Sequence, residues 1–297
     1  MVARHVPDGE DVAITVHGLQ VTFTPRKADV LTAGNSKTDE HWYQIYAVDA
    51  EHHTSAPFDL SLPVFDARLQ RNDSHALVLY RFDEGQGLTI YDHSAIGSPA
   101  NITIFKSANA HWLASHGLSL HGTTPAMTAK AVRKLMALAR GDAFTIELWV
   151  STDTIAPPLD VHGCMLSWEV GREQQNFSVG QSWYDLFFDA NGRNFNHGMG
   201  ENSGGNASEC ARPWLQHLVF TYQNKHLRIY ANGVLQSDGQ LQGMAPAKWY
   251  ANAVLLLGNY ADGSAAYLGT YYLAAIHDRG MSEAEVQHNY QAGPTAR

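Results

Sequence analysis

Three short β runs follow one another between Leu215 and Gln236, and they constrain the fold more than any other stretch of the chain. Apolar residues alternate with others along LVFTY (218–222) and LRIYA (227–231), and a third run begins at Val234. Asn224-Lys225 and Asn232-Gly233 separate the runs. An Asn-Gly pair predicts a type I′ hairpin turn, because both central residues of that turn need positive φ. Such alternation is typical of antiparallel strands with one buried face, so the sequence predicts an antiparallel β protein.

The composition excludes several classes of partner. The 297-residue chain is 44% hydrophobic and 16% charged, enough for one large sandwich or two smaller domains. Its net charge of −9 comes without a basic cluster, which argues against nucleic acid and anionic membranes. No apolar run approaches the roughly 20 residues of a membrane span. The N-terminal MVARHVPDGEDV lacks the apolar segment of a signal peptide, so the sequence leaves open an intracellular protein or one exported with a signal outside this sequence.

The chain has two cysteines, Cys164 and Cys210, and the sequence leaves their state open. A disulfide between them would stabilise the fold by roughly 4 kcal/mol on the chain-entropy model. The alternative is two separate thiols. Neither residue lies in a CxxC pair or a zinc-type spacing, so no redox or zinc motif is predicted.

Residues 1–75 form a strand-rich opening stretch. The runs 12–16 and 19–23 predict a hairpin around His17-Gly18, and WYQIYAV (42–48) and FDLSLPVF (58–65) predict two further strands. Pro63 predicts an edge position for the last of these. Four strands make either a small subdomain or an extension of a larger sandwich, and the polar segment 70–75 is the predicted boundary.

A series of motifs begins at residue 76. A strand ending in Phe82 leads into the turn EGQG (84–87), and the next strand runs into DHS (92–94). FTIELWV (144–150) alternates strictly and carries Glu147 two positions before Trp149. These patterns predict paired strands joined by glycine turns.

The series ends with a short helix. DRGMS (278–282) precedes EAEVQHNY (283–290), with Ser282 as N-cap and Glu285 at the capping-box position. TAKAVRKLMALA (128–139) predicts the one helix before it, and the Gly- and Asn-rich stretch 191–208 predicts a long loop.

In this order the motifs resemble the laminin-G-like, concanavalin-A-like jelly-roll domains of bacterial proteins. The resemblance covers residues 76–293. It implies an all-β fold, a two-sheet antiparallel jelly-roll sandwich with one or two short helices. Residues 1–75 are then an N-terminal strand-rich extension or small subdomain, and 294–297 a tail.

The sequence contains no recognisable catalytic motif. Glycosidases of this architecture resemble one another in an E-x-D-x-x-E strand, which is absent. Asp185 and Asp189 share a strand face, as do Glu169 and Glu173, but residues four apart on a strand lie about 13 Å apart. Paired glycosidase carboxylates need roughly 5 to 9.5 Å. Glu147 is interpreted as a polar residue on the solvated or groove face of its strand, and no enzyme is predicted.

Sixteen histidines raise the question of a metal site or a catalytic triad. His111, His116 and His121 are five residues apart, and His52-His53 are adjacent, so neither set has zinc-site spacing. No G-x-S-x-G motif supports a nucleophilic serine. The histidines are therefore interpreted as solvated or hydrogen-bonded surface residues.

Calcium is the cofactor that the resemblance implies. Many laminin-G-like domains hold one Ca²⁺ at a loop edge through carboxylates and carbonyls, the ligands of a hard cation. The candidate ligands are Asp92, Asp262 and Asp278. The alternative is that these aspartates only form turns, which gives the same sequence pattern.

Residues near strand ends and in loops predict a sugar-binding surface. Pyranose rings stack on exposed aromatic side chains, while Asn and Asp bind their hydroxyls, and loops on a rigid sandwich commonly carry such sites. The candidates are Trp183, Tyr184, Trp249, Tyr250, Asn259 and Tyr260. The alternative is that these aromatics cover the core or contact residues 1–75.

The sequence thus predicts a non-catalytic binding, structural or adhesion module that recognises a glycan or a neighbouring protein, in an extracytoplasmic setting. One alternative is an architectural subunit of a larger assembly that docks through residues 1–75. A glycan-cleaving enzyme is the remaining alternative.

Overall fold

The computed structural model describes residues 65–297 except 67, 115, 154–161, 172–173, 183, 191–203, 208–209, 213, 242–243 and 245. It describes only the backbone of 162, 204–206 and the strands between residues 2 and 63. The strands are β1 (Val2–His5), β2 (Asp11–Val12), β3 (Ile14–His17), β4 (Gln20–Phe23), β5 (Glu40–Tyr46), β6 (Phe58–Pro63), β7 (Ala76–Tyr80), β8 (Thr89–Ile90), β9 (Ile102–Ile104), β10 (Ala110–Trp112), β11 (Leu118–Leu120), β12 (Ala126–Thr128), β13 (Ala143–Thr152), β14 (His162–Gly171), β15 (Gln174–Ser182), β16 (Asp185–Ala190), β17 (Gly204–Ala207), β18 (Leu215–Gln223), β19 (His226–Ala231), β20 (Val234–Gln240), β21 (Val254–Leu257) and β22 (Gly269–His277).

Helical structure is sparse. Short 3-10 helices cover Ser107–Asn109, Arg133–Arg140 and Pro246–Lys248, and an α-helix, α1, covers Glu283–Ala292. The predicted helix at 128–139 is therefore partly wrong: residues 126–128 are strand β12, and the helix begins at Arg133 with 3-10 geometry. Leu135 and Leu138 are buried on one side of this helix.

Two eight-stranded antiparallel sheets form the body. Sheet I has the order β10-β11-β22-β13-β18-β19-β20, with β7 also paired to β22, and sheet II has the order β17-β16-β15-β14-β21-β12-β9-β8. The core lies between them, where Phe144 of sheet I stacks on Phe177 of sheet II with ring centroids 6.0 Å apart. Each such ring contributes about 1.5–3 kcal/mol on full burial. The predicted two-sheet antiparallel sandwich is confirmed.

The tandem hairpins of sheet I form as predicted. β18 pairs with β19 and β19 with β20, through two-residue turns. Asn224, Lys225, Asn232 and Gly233 all have positive φ, between 50° and 76°. Positive φ at both central positions is the type I′ geometry, whose twist matches that of the strands.

The opening stretch contains a four-stranded sheet and a separate hairpin. The sheet order is β2-β1-β5-β6, which places β6 at an edge as Pro63 predicts, and β3 pairs with β4 around His17-Gly18 as predicted. Strand β1 was not predicted. The domain division at residue 75 stays a prediction.

The outer face of sheet I is buried, in contrast to the one-sided burial expected from the alternation. Seven consecutive residues of β18 are buried, because α1 packs on the side that faces away from the core. Val219 and Tyr230 of the sheet form an apolar cluster there with Met281 and Val286. The predicted capping box fixes the start of this helix: Ser282 accepts from the Glu285 N–H, and Glu285 accepts from the Ser282 N–H.

Candidate functional site

Three of the sugar-binding candidates lie in the interior, so their assignment is wrong. Trp249 is 5% exposed and packs edge-on against Trp168 in the core. The Asn259 side chain is fully buried, where it accepts from the Tyr260 and Ala265 N–H groups. Tyr260 is 4% exposed, and its hydroxyl lies 3.2 Å from that of Ser178. Buried side chains cannot stack on a sugar, and these three instead close the core and a loop.

The other sugar-binding candidates do not form one site. Tyr184 and Tyr250 are 42% and 37% exposed, whereas Trp183 lies outside the described residues. Tyr184 follows the end of β15, while the Tyr250 backbone bonds to Asn176 near the start of that strand. Six residues of strand separate the two positions by about 20 Å. Each remains a candidate contact by itself.

The three aspartates proposed for calcium are in separate surroundings. Asp92 is buried and accepts from Lys134 and from the N–H groups of Leu79, Ser94 and Ala100. Although burial raises its pKa, these donors hold the Asp92 pKa below the ordinary value. Asp262 accepts from Ser264 at a turn, and Asp278 lies 2.9 Å from His75. Within the described residues no cluster of metal-ligating atoms combines them, so calcium at these positions stays a prediction.

The two cysteines are not bridged in this structure, so the separate thiols are found out of the two states that the sequence left open. Both thiols are buried. The Cys210 thiol donates to Gln236 Oε1 at 3.4 Å, and Cys164 forms a backbone bridge with Ala266. Cys164 therefore lies in β14 of sheet II, whereas the Cys210 thiol contacts β20 of sheet I.

Glu147 is the centre of an interior ionic cluster, which corrects its interpretation as a solvated residue. Its side chain is fully buried on the outer face of sheet I. Arg71 Nη2 lies 2.6 Å from one carboxylate oxygen, and the Nε2 atoms of His217 and His277 lie at 2.7 and 3.3 Å. Asn289 of α1 donates to the carboxylate at 3.1 Å. These five residues are the interior ionic cluster.

Charge pairing explains why a carboxylate is tolerated in this interior. Burial raises the pKa of Glu147, but Arg71 and the hydrogen bonds from the two histidines hold it well below its ordinary value. Burial likewise lowers the pKa of His217, against the effect of Glu147. Glu147 and Arg71 are therefore charged and His217 is neutral at pH 7. The cluster joins the segment before β7, the three strands β13, β18 and β22, and α1. Its complete enclosure assigns it to stability rather than to ligand binding.

Sequence reasoning missed His217 and His277, both buried and not on the surface as predicted. In the sheet register Trp149 faces His217 and Thr145 faces His277, so each histidine is a diagonal neighbour of Glu147. No local motif encodes that proximity, because it depends on the pairing of three strands far apart in sequence.

The outer face of sheet II is polar but also buried. Ser167, Ser178 and Asp189 lie opposite one another on β14, β15 and β16. Glu169 accepts from the Ala261 N–H at 2.7 Å and from Gln175 at 3.3 Å. The Glu169 carboxylate thus holds a loop onto the sheet. The Glu169 backbone lies about 12 Å from that of Asp189, because two strand spacings and two residues along the strand separate them.

The best candidate for a ligand site is an open groove at one end of the sandwich. It has a volume of about 400 Å³. Three loops line this end groove with Ala139–Asp142, Tyr222, Asn224, Lys225, Met244, Pro246 and Ala247. Arg140, Asp142 and Lys225 are exposed there. Burial and the Asp142 charge raise the pKa of Tyr222, so its hydroxyl stays neutral. The groove therefore offers donors, acceptors and apolar surface together.

A second groove of about 420 Å³ lies beside residues 98–101 and 128–134. Lys130 and Arg133 are exposed at its border, while Lys134 turns to Asp92. Its lining includes no carboxylate. It is thus better suited to an anion than to a neutral ligand.

Comparison with known protein families shows which family this chain belongs to. The laminin G family model of the concanavalin A-like lectin/glucanases superfamily matches residues 122–287, more than half of the chain. The chain belongs to this family. No curated protein sequence matches this concanavalin A-like chain.

Solved structures share the fold at low sequence identity. The binding domain of botulinum neurotoxin DC, in complex with rat synaptotagmin II, has a TM-score of 0.54 and 10% identity, over 74% of this chain and 52% of that one. A Trypanosoma rangeli sialidase in complex with sialic acid has a TM-score of 0.56 and 10% identity, over 86% and 43%. The chain thus spans about half the length of these structures, and the likeness is one of fold. No helix in the described part of this concanavalin A-like chain is long and apolar enough to cross a membrane.

Proposed function

We propose that this protein is a non-catalytic binding module that recognises a glycan through the end groove. One observation carries the proposal: an open groove combines polar and apolar groups, whereas the most enclosed carboxylates are already bonded. Glu147 is held by Arg71 and two histidines, and Glu169 by a loop N–H and Gln175. Carboxylates that hold the fold together in this way are poor candidates for proton transfer to a ligand.

The chemistry of the end groove suits a sugar. Arg140, Lys225 and the Asn224 amide donate hydrogen bonds, and Asp142 accepts them. Met244, Pro246 and Ala247 supply apolar surface for the CH groups of a ring. Its volume of about 400 Å³ falls within the range of ligand sites, roughly 300–1,000 Å³. Loops on a rigid sandwich are also where binding commonly evolves.

The related structures are compatible with either ligand class. The toxin domain was solved with a protein and the sialidase with sialic acid. A neighbouring protein is therefore the alternative ligand, and an architectural subunit docking through residues 1–75 is the alternative role. An extracytoplasmic location is part of the proposal, because an accessible glycan is most abundant there.

A glycan array tests the proposal directly. We expect the wild-type chain to bind at least one glycan and the Arg140→Ala/Lys225→Ala variant to bind it at least about tenfold more weakly. Loss of one hydrogen bond to a charged group costs about 1.5–3 kcal/mol, and 1.4 kcal/mol is tenfold in affinity.

The matched control is Tyr184→Ala, which removes an exposed aromatic outside the groove. Unchanged binding by the groove variant together with loss in the control would move the site to the β15–β16 turn. Mass spectrometry of the bound glycan should recover it intact, and cleavage products would contradict the non-catalytic role.

Calcium is tested separately. If Asp92, Asp262 or Asp278 holds a structural Ca²⁺, a chelator should lower the melting temperature and added Ca²⁺ should restore it. Identical melting curves with and without chelator would remove calcium from the proposal.

A further inference from the structure

Two carboxylates and an imidazole meet on the surface where the turn after β7 folds back on the residues after β8. They are Asp83, Glu84 and His93, named here the surface triad. The Tyr91 N–H donates to Glu84 Oε1 at 2.7 Å, and the His93 N–H donates to the Leu79 carbonyl at 2.7 Å. These hydrogen bonds hold the two backbone segments together, so the three side chains are grouped by the fold.

The spacing of the surface triad fits a common cation. One ligand atom from each residue lies within 4.8 Å of the others. His93 Nε2 is 3.8 Å from Asp83 Oδ1, too long for a hydrogen bond. Two ligands bound at about 2.0–2.2 Å to one divalent ion are roughly 3–4.3 Å apart, which includes this distance.

One oxygen of the surface triad lacks a partner. Glu84 Oε2 is buried and accepts no hydrogen bond, although its other oxygen bonds Tyr91. Leaving a buried carboxylate oxygen unsatisfied is unfavourable, and a cation would relieve it. Asp83 Oδ2 is held by Arg297 at 3.0 Å, which leaves Oδ1 directed toward His93. The Asp83 and His93 side chains are 29% and 38% exposed, so an ion can enter from solvent.

A comparable group of metal-ligating side chains in the interior is less suited to a metal ion, because a guanidinium already lies beside its carboxylates. Asp73, Glu147 and His277 also offer three ligand atoms at similar spacing. There, however, the Arg71 guanidinium lies 2.6 Å from Glu147 and 3.4 Å from Asp73. The Arg71 guanidinium thus lies beside both interior carboxylates, whereas Arg297 at the surface triad lies beside Asp83 Oδ2 and leaves Asp83 Oδ1 and Glu84 Oε2 to a metal ion.

We propose that the surface triad binds a divalent first-row transition metal such as Zn²⁺. Imidazole with two carboxylates favours such an ion over Ca²⁺, which prefers oxygen ligands in greater number. Glu84 Oε2, Asp83 Oδ1 and His93 Nε2 supply three ligands, and water completes the coordination. The proposed site shares no residue with the end groove or with the aspartates considered for calcium.

Calorimetric titration of the chelator-treated full chain with Zn²⁺ tests the site. We expect one high-affinity Zn²⁺ site per chain. Its Zn²⁺ affinity should be at least tenfold lower in His93→Ala and in Glu84→Gln, because loss of even an outer-shell partner lowers metal affinity about 10–100-fold. Gln at 84 retains an oxygen for the Tyr91 N–H, so the turn is preserved. The matched control is His121→Ala, an exposed histidine 3.3 Å from Asp153, which should leave the tightest site unchanged.

Other outcomes would overturn the proposal. Absence of a one-to-one Zn²⁺ site, or equal Zn²⁺ affinity in wild type and His93→Ala, excludes the surface triad. Ca²⁺ binding that matches Zn²⁺ and survives His93→Ala excludes an imidazole ligand. Melting curves of the metal-free variants that overlay the wild type show that a lost site is not a lost fold.

Discussion

The outer faces of the two sheets are both buried, but by different means. On sheet I, α1 covers apolar Val219 and Tyr230 and the charged Glu147 cluster. On sheet II, a loop covers a polar row and is held there by Glu169. The Ala261 N–H and the Gln175 amide donate to Glu169, whereas Glu147 faces a buried guanidinium. Two equally buried carboxylates therefore differ in the groups that lose a partner when the carboxylate is removed.

Removal of Glu147 should have the largest effect. Glu147→Leu removes the nearest counter-charge of the buried Arg71 and leaves Asp73 at 3.4 Å. We therefore expect a loss of about 3–5 kcal/mol in the free energy of unfolding, measured with urea. The double variant Arg71→Met/Glu147→Leu should recover at least part of this loss, because both fully buried charges of the pair are then removed. A loss below about 1 kcal/mol for Glu147→Leu would contradict the role of the cluster.

Removal of Glu169 should cost less. Glu169→Leu leaves neutral N–H groups of Ala261 and Gln175 without this acceptor, which costs about 1–3 kcal/mol. The same urea titration compares it with Glu147→Leu. If the two variants are equally destabilised, the contrast between the sheet faces fails.

Loss of the helix cap should weaken the cover of sheet I by a smaller amount. Ser282→Ala removes the side-chain acceptor for the Glu285 N–H and should cost about 1 kcal/mol. Ser264→Ala, in the loop region on sheet II, is the exposed control and should change stability by less than about 0.5 kcal/mol. Hydrogen exchange should show faster exchange in α1 for the first variant only.

The smallest expected effect is the contribution of the sheet I cluster to the pH dependence of the free energy of unfolding. The pKa values of His217 and Glu147 are lowered in the folded state, so the unfolded chain binds more protons as the pH falls. The His217 contribution is complete above the unfolded pKa of His, about 6.5, and is lost as the pH falls below it, whereas the Glu147 contribution is lost only below the unfolded pKa of Glu, about 4.3. We expect unfolding free energy to decrease from pH 7 toward pH 5, and His217→Gln to flatten that decrease. An unchanged slope in this variant would show that His217 is not the group that titrates.

Most strands and turns could be predicted from the local sequence. Asn232-Gly233 tolerates positive φ at both positions, and its hairpin formed as predicted. Ser282 and Glu285 likewise specify a helix start within four residues. The alternation of apolar residues wrongly predicted one-sided burial where a second layer covers the sheet. A residue pattern does not reveal what covers the outer face of a strand.

The candidate sites could be predicted from the sequence to a much smaller extent. Trp249 and Tyr260 have the sequence surroundings of loop residues, yet both are buried because distant strands pack against them. The end groove brings together three loops, near residues 140, 224 and 246, that share no motif. Their proximity follows from strand order, which long-range pairing determines.

The amino-acid sequence by itself determined the antiparallel strands, their tight turns and the capped C-terminal helix, since each depends on neighbours a few residues apart. Tertiary structure alone decided which face of each sheet is covered, that Glu147 meets Arg71 and two histidines, and that the surface triad converges. The physical reason is range: backbone preference acts locally, whereas burial and charge pairing depend on segments as far apart as Arg71 and Asn289.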